Sequence, residues 1–247
     1  MIHLKSSSEI AIIKKNGAIL GQCFEAANEM IRPGVKKQDV DRTIEKIILA
    51  NKAKPAFKGF RGYPAATCIS VNEEVVHGIP NGRVFEEGDI CGLDVGVYKD
   101  GYYADAARTY PVGKISKEGE TLLRVTREAL DRAIDQARIG NRLSDISHAI
   151  ESFVVERGFS VVKALVGHGI GQQMHEEPQV PNFGPPAHGP ELREGLVIAI
   201  EPMVNAGASD VYTLSDGWTI VTADRSFSAH FEDTVAVTKN GPEILTR

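Results

Sequence analysis

Apolar side chains at Ile10, Ile13, Leu20, Phe24, Ala27 and Met30 recur at roughly helical spacing along the first stretch of the chain. Ser6-Ser7-Ser8-Glu9, just ahead of them, reads as a capping box: a serine oxygen accepts from an orphaned helix amide, and a glutamate three residues on returns the bond. Pro33-Gly34 stops that helix, and a second carries Val40, Ile44, Ile47 and Ile48. From Thr67 to Pro111 the texture turns to strand, in short β-rich runs broken by Asn72, Gly78-Ile79-Pro80 and Asp100-Gly101. Helical spacing returns with Leu122, Leu123, Ala129, Leu130, Ala133 and Ile134, ends at Gly140, and resumes with Ile146, Ile150, Phe153 and Val154. The remainder reads mainly as strand and loop.

Helix, helix, strands is thus followed by helix, helix, strands. Segment 31–48 aligns with 137–154 so that Arg32 meets Arg138, Gly34 meets Gly140, Asp39 meets Asp145, Ile44 meets Ile150 and Glu45 meets Glu151. One residue further in offset, Glu87-Gly88 meets Glu194-Gly195 and Leu93-Asp94 meets Ile200-Glu201. Two amphipathic helices after a glycine match by chance; their following strands at nearly the same offset favour an ancient duplication. The expectation is one α/β (α+β) domain over 1–247, with ααβ halves of about 5–113 and 114–247 sharing a sheet and a site between them. No stretch reads as a flexible linker.

Composition narrows the function classes. With 247 residues, 42% hydrophobic and 25% charged, the chain is neither collagen-like, disordered nor a disulfide scaffold, and can bury roughly three quarters of its unfolded surface. Asp and Glu outnumber Lys and Arg by 33 to 28, which argues against a nucleic-acid footprint. The three cysteines, Cys23, Cys68 and Cys91, form no CxxC pair, which suits a reducing cytosol. No signal peptide or membrane span is expected, so the chain reads as cytoplasmic.

Chemistry enters at Asp89–Thr109. Asp100-Gly101 is a strong hairpin turn signal. A four-residue loop would set Asp94 directly opposite Asp105; a two-residue loop would leave them diagonal on one face. Like charges so placed repel, and strand centres disfavour aspartate, so a proton, an arginine or a cation must compensate, unless both face water. Arg108 is three positions from Asp105 and so points to the other face. Asp94 corresponds to Glu201 across the repeat, and Glu201 lies in the apolar run LVIAIEPMV, where an unpaired carboxylate would cost several kcal/mol or shift its pKa strongly. A metal is the simplest resolution. Glu232, in SAHFEDTVAV, is another acid in a strand-like run.

Three histidines stand in distinctive settings: His168 between glycines in GHGIG, His175 ahead of Glu176-Glu177-Pro178, and His77 in VHGIP. Taken singly, each reads first as a hydrogen-bonded structural histidine. GHGIG is not a phosphate cradle, no GxSxG elbow is present, and Cys68 and Cys91 lack a nucleophile signature. Four carboxylates balance two divalent cations, and oxygen-rich ligation with one imidazole suits Mn²⁺, Fe²⁺ or Co²⁺ at least as well as Zn²⁺. Two such ions roughly 3.5–4 Å apart can share a hydroxide.

The ordered set Asp94, Asp105, His168, Glu201 and Glu232 resembles the five metal ligands of the methionine aminopeptidases. The strings VNEEVVHGIP, LDVG with KDGYYAD, GHGIGQQMHEEPQVPNFG, IEPMVNAG and DGWTIVTADRSFSAHFEDT agree, over about residues 5–245. The short type I bacterial form is the most similar. The resemblance implies the pita-bread fold, a pseudo-twofold α/β arrangement around a curved antiparallel sheet. It implies two divalent ions (Co, Mn, Fe, Zn or Ni), with Asp94 binding through both oxygens, Asp105 and Glu232 bridging, and His168 and Glu201 completing the other ion. It also implies a bridging water or hydroxide as nucleophile, Glu201 as proton acceptor, and His77 and His175 contacting the scissile amide. Tyr63, Cys68, His77 and Trp218 resemble the methionine pocket, with Phe57, Phe60 and Met174 beside it. Phe60 and Met174 depart from the tyrosine and phenylalanine common there. Asn72 and Ser228 resemble positions near a monovalent cation.

The resulting expectation is removal of the initiator methionine from nascent polypeptides whose second residue is small. Any ribosome contact would be transient, with no nucleic-acid specificity and no membrane partner, and the family expectation is a monomer. The alternatives are a proline-directed relative, which usually carries an extra N-terminal domain, and a non-catalytic module of the same fold, which has typically lost ligands.

Overall fold

Ser6 does cap the first helix. Its hydroxyl accepts from the Glu9 amide while the Glu9 carboxylate accepts from the Ser6 amide at 2.7 Å. The structure is a computed structural model that describes residues 2–247. Its helices are α1 (Ser7–Met30), α2 (Lys37–Ala50), α3 (Lys117–Gln136) and α4 (Leu143–Glu156). Its strands begin with β1 (Lys54–Pro55), β2 (Thr67–Val71), β3 (Glu74–Val76), β4 (Ile90–Lys99) and β5 (Tyr102–Pro111). After the second helix pair come β6 (Ser160–Val161), β7 (Val166–Gly169), β8 (Glu176–Pro181), β9 (Val197–Ile200), β10 (Met203–Asn205) and β11 (Val211–Thr213). The last are β12 (Ile220–Thr222), β13 (Ser228–His230), β14 (Glu232–Thr238) and β15 (Gly241–Ile244).

Nine strands form one curled antiparallel sheet in the order β1-β4-β5-β14-β9-β7-β8, with β2 also on β4 and β15 also on β14. The helix pairs cover one face, α1 and α2 over β4 and β5, α3 and α4 over β9 and β14. Strand alternation explains what each face carries. Leu93, Val95 and Val97 are fully buried towards the helices, which leaves Asp94 and Gly96 for the opposite, concave face.

The two halves follow one plan. The α2 and α4 helices fall at equivalent positions of the repeat, as do β1 and β6. The isolated bridge Lys36↔Val84 recurs as Arg142↔Glu191. The bond from the Gly34 amide to the Phe85 carbonyl recurs from Gly140 to Leu192. Gly88 and Gly195, both with positive φ, turn the chain into β4 and β9. The halves meet where β5 pairs with β14, Ala107 opposite Glu232.

The hairpin takes the two-residue turn. Lys99 pairs with Tyr102, and Asp100 and Gly101 have φ values of 52° and 85°, as a type I′ turn requires. Buried Asn16 of α1 donates to the carbonyls of both Lys99 and Tyr102, tying the turn to the helix. All three cysteines are free and buried. Among the described residues, no helix is long and apolar enough to cross a membrane.

Candidate metal centre and substrate cavity

The turn decides how the first two carboxylates meet. Asp94 stands opposite Ala107 and Asp105 opposite Gly96, so the pair is diagonal on the concave face, not directly opposed. Ala107 also pairs with Glu232 across the seam, which sets that acid beside the first two. Glu201 follows immediately after β9, and His168 lies in β7 opposite Ala199. One oxygen each of Asp105 and Glu232 and one ring nitrogen of His168 lie within 4.8 Å of one another. Nε2 of His168 is 3.6 Å from Oε1 of Glu201.

Burial and mutual repulsion dominate the electrostatics. Asp94 is held far above the usual carboxylate range by burial, then by the charges of Asp105 and Glu201. Glu201 and Glu232 move the same way for the same causes. Burial lifts Asp105 to about 7, against the opposing pull of its hydrogen bonds from Asp94 and the Ala106 amide. His168 falls to about 4, chiefly by burial and then by His175. Its approach to Glu201 is therefore that of a neutral imidazole and not an ion pair.

The polar atoms fit a cation. Asp94 Oδ1, Asp105 Oδ1 and Glu232 Oε1 are buried with no hydrogen-bond partner. Orphaned acceptors of this kind are costly in a protein interior, and divalent ions would satisfy all three. The Nδ1 of His168 lies 2.9 Å from the Gly169 carbonyl, which accepts its proton and leaves the Nε2 lone pair facing the acids.

A cavity of about 220 Å³ opens on this cluster. Phe57, Phe60, Tyr63, Cys68, Met174 and Trp218 form its apolar wall, and His77 and His175 stand between that wall and the acids. Backbone proximity builds it. A Cβ on Gly96 would crowd Ala56 and the Phe57 ring, so glycine there admits Phe57 beside Asp94. Cys68 is the register partner of Asp94. The Tyr63 and Trp218 rings meet edge-on at 5.1 Å, and the Tyr63 hydroxyl donates to the carbonyls of Thr67 (3.1 Å) and Gly78 (3.0 Å). That anchors His77, whose φ of 58° is left-handed. His175 packs on Phe60 at 5.5 Å and on His168 at 4.4 Å. Burial lowers the pKa of both His77 and His175. A second, wider cavity of about 480 Å³ continues from His77, Asp94 and His175 towards Leu165 and Gln179.

Asn72 and Ser228 meet each other away from the acids. The Ser228 amide donates to the Asn72 carbonyl, while their side chains are taken by Asp89 and Asn205. Two residues of the site escaped the sequence reading. Arg61 lines the cavity with its guanidinium 5.4 Å from the Phe60 ring centre. His230 is buried among the acids, its Nε2 3.8 Å from Glu201 Oε2. Its spacing of two from Glu232 gave no firm signal, because the strand breaks at Phe231 between β13 and β14.

The profile of metallopeptidase family M24 matches residues 11–239. A methionine aminopeptidase of Clostridium perfringens is 51% identical over 246 residues, covering 100% of this chain and 99% of that protein. Methionine aminopeptidase 1 of Bacillus subtilis is 48% identical over 247 residues, covering 100% of both. The crystal structure of methionine aminopeptidase from Thermotoga maritima superposes with a TM-score of 0.98 at 48% identity over 100% of both chains. A prolidase from Pyrococcus horikoshii gives 0.81 at 28% identity, covering 99% of this chain but 63% of that one.

Proposed function

Because the chain belongs to metallopeptidase family M24 and, within it, to the methionine aminopeptidases, we propose a residue-level account of how it removes N-terminal methionine with divalent metal. The observation that carries it is the apolar cavity opening directly on the buried acids.

Asp94, Asp105, His168, Glu201 and Glu232 would hold two divalent ions, the four carboxylates matching their charge. Manganese, iron or cobalt suits this oxygen-rich set, with zinc or nickel admissible. Bound there, such ions would supply a nucleophilic water near neutral pH and polarise the scissile carbonyl. Glu201, at the edge of the cavity, would take up the proton of the attacking water. The methionine thioether lies against Tyr63, Cys68 and Trp218, with Phe57, Phe60 and Met174 closing the wall. His77 and His175, kept neutral by burial, donate to the amide as charge develops on it. The wider cavity beyond them receives the rest of the peptide, and a small second residue fits the narrows between the two histidines.

A monovalent cation near Asn72 and Ser228 would bind through main-chain oxygens, both side chains being engaged. The two halves, about 5–113 and 114–247, form one domain. We further place the protein in the cytoplasm as a monomer acting on nascent chains, with transient ribosome contact. The proline-directed alternative is disfavoured, since the methionine aminopeptidases match at 48% and 51% identity and the prolidase at 28%. The direct test is a Met-Ala-Ser peptide with Mn²⁺ or Co²⁺: methionine should be released, and an Xaa-Pro peptide left intact. No release with any divalent metal, on folded protein, would sink the proposal.

A further inference from the structure

His230 is outside the proposed ligand set, yet its Nε2 lies beside two members of it, Glu201 and Glu232. It ends β13, two residues before Glu232, and is 4% exposed. Its Nε2 has no hydrogen-bond partner and lies 3.8 Å from Glu201 Oε2 and 4.0 Å from Glu232 Oε2. A buried ring nitrogen without a partner is costly. The backbone holds the ring in place despite this. The His230 amide donates to Thr109 Oγ1 at 3.0 Å, the Thr109 hydroxyl donates back to the His230 carbonyl at 2.7 Å, and Met203 is its strand partner.

A nitrogen so placed can ligate an ion or donate to a carboxylate, and its two carboxylate neighbours, Glu201 Oε2 and Glu232 Oε2, favour the second. His168 addresses Glu201 through Oε1 at 3.6 Å, and His230 addresses the other oxygen. Glu201 is therefore flanked, with one imidazole on each side.

We propose that His230 is a positioning residue of the metal centre: its Nε2–H donates to Glu201 Oε2 and so turns Oε1 towards the ion that His168 holds. The inference rests on reading Asp105, His168, Glu201 and Glu232 as ligands. The present 3.8 Å is a few tenths of an ångström beyond hydrogen-bonding range and closes by a small rotation of the Glu201 carboxylate.

The experiment titrates Co²⁺ into metal-free wild type, His230→Gln and His230→Leu, following affinity by calorimetry and ligand environment by the visible absorption of cobalt, with kcat and KM measured in parallel. Glutamine keeps a donor within reach of Glu201; leucine keeps bulk without one. The expected result is cobalt affinity about 10- to 100-fold weaker in His230→Leu, with an altered spectrum and a fall in kcat at nearly constant KM. His230→Gln should stay within about threefold of wild type. Wild-type affinity and spectrum in the leucine variant would overturn the proposal. So would a glutamine variant as impaired as leucine while the metal-free unfolding midpoints agree. Should the leucine variant not fold, His230→Asn, too short to reach Glu201, replaces it with the same expectation. A wild-type protein that binds no cobalt would overturn the metal-centre reading, and this inference with it.

Discussion

Asp105 illustrates what a buried acid costs when nothing neutralises it. In the metal-free protein its carboxyl titrates at about 7 instead of the ordinary 3.8. The folded state thus keeps a proton that the unfolded chain gives up near pH 4. The stability this contributes is full below about pH 4 and is lost as pH rises through about 7. In chelator, wild type should therefore lose stability relative to Asp105→Asn between about pH 4 and 7, by an amount on the order of a few kcal/mol. Thermal unfolding of both proteins across that range checks it, and a pH-independent difference would mean that Asp105 is already ionised without metal. Saturating Mn²⁺ should erase the trend, because the ion takes the place of the proton. Arg108 gives no such relief: its guanidinium lies on the helical face, 4.9 Å from the Phe24 ring centre.

At the scale of elements, the site is set by how short strands and turns aim side chains. Gly78 lies where a Cβ would overlap the Ile69 carbonyl, and its amide donates to Ser70 Oγ at 3.1 Å. Gly78→Ala must push this segment outwards and swing His77 away from the amide it is proposed to contact. The expected outcome is a fall in kcat/KM of about 10- to 100-fold with cobalt affinity unchanged, measured on the same preparation. Much of this level was legible beforehand. The helices announced themselves by spacing and by the Ser6–Glu9 cap, and the four candidate carboxylates by their setting in β-rich runs, whereas His168 was set apart from His77 and His175 only by the family resemblance. Whether Asp94 faced Asp105 squarely or diagonally was not, because Asp100-Gly101 suits either loop length until Asn16 ties the turn down. His230 was hidden for a related reason. It sits in a three-residue strand that pairs with β10 in a smaller sheet, so its direction depends on a change of sheet at Phe231 that no local periodicity records.

The whole molecule is held at the seam between its halves. Asp233 of β14 is fully buried, and its carboxylate accepts from Arg108 at 2.6 Å, Thr246 at 2.9 Å and Arg247 at 2.8 Å. Arg108 also donates to the main-chain carbonyls of Ala107 and Glu232, one on each side of the seam. Breaking such a network from one side leaves charge stranded in the interior. Asp233→Asn should cost about 3–5 kcal/mol in urea unfolding. It should also weaken metal binding through the neighbouring Glu232; a variant as stable as wild type would show that the seam tolerates an unopposed Arg108 guanidinium, Arg247 keeping Asp131 as a partner.

The position of β14 also sets an order of events in time. Asp94 and Asp105 can form their hairpin early in synthesis, but Glu232 joins them only when β14 has slid between β5 and β9, and Arg247 locks that strand from the last position of the chain. A ribosome-bound intermediate of this protein would therefore carry a half-built, proton-filled cluster. An aminopeptidase built this way is thus inert until β14 has entered the sheet.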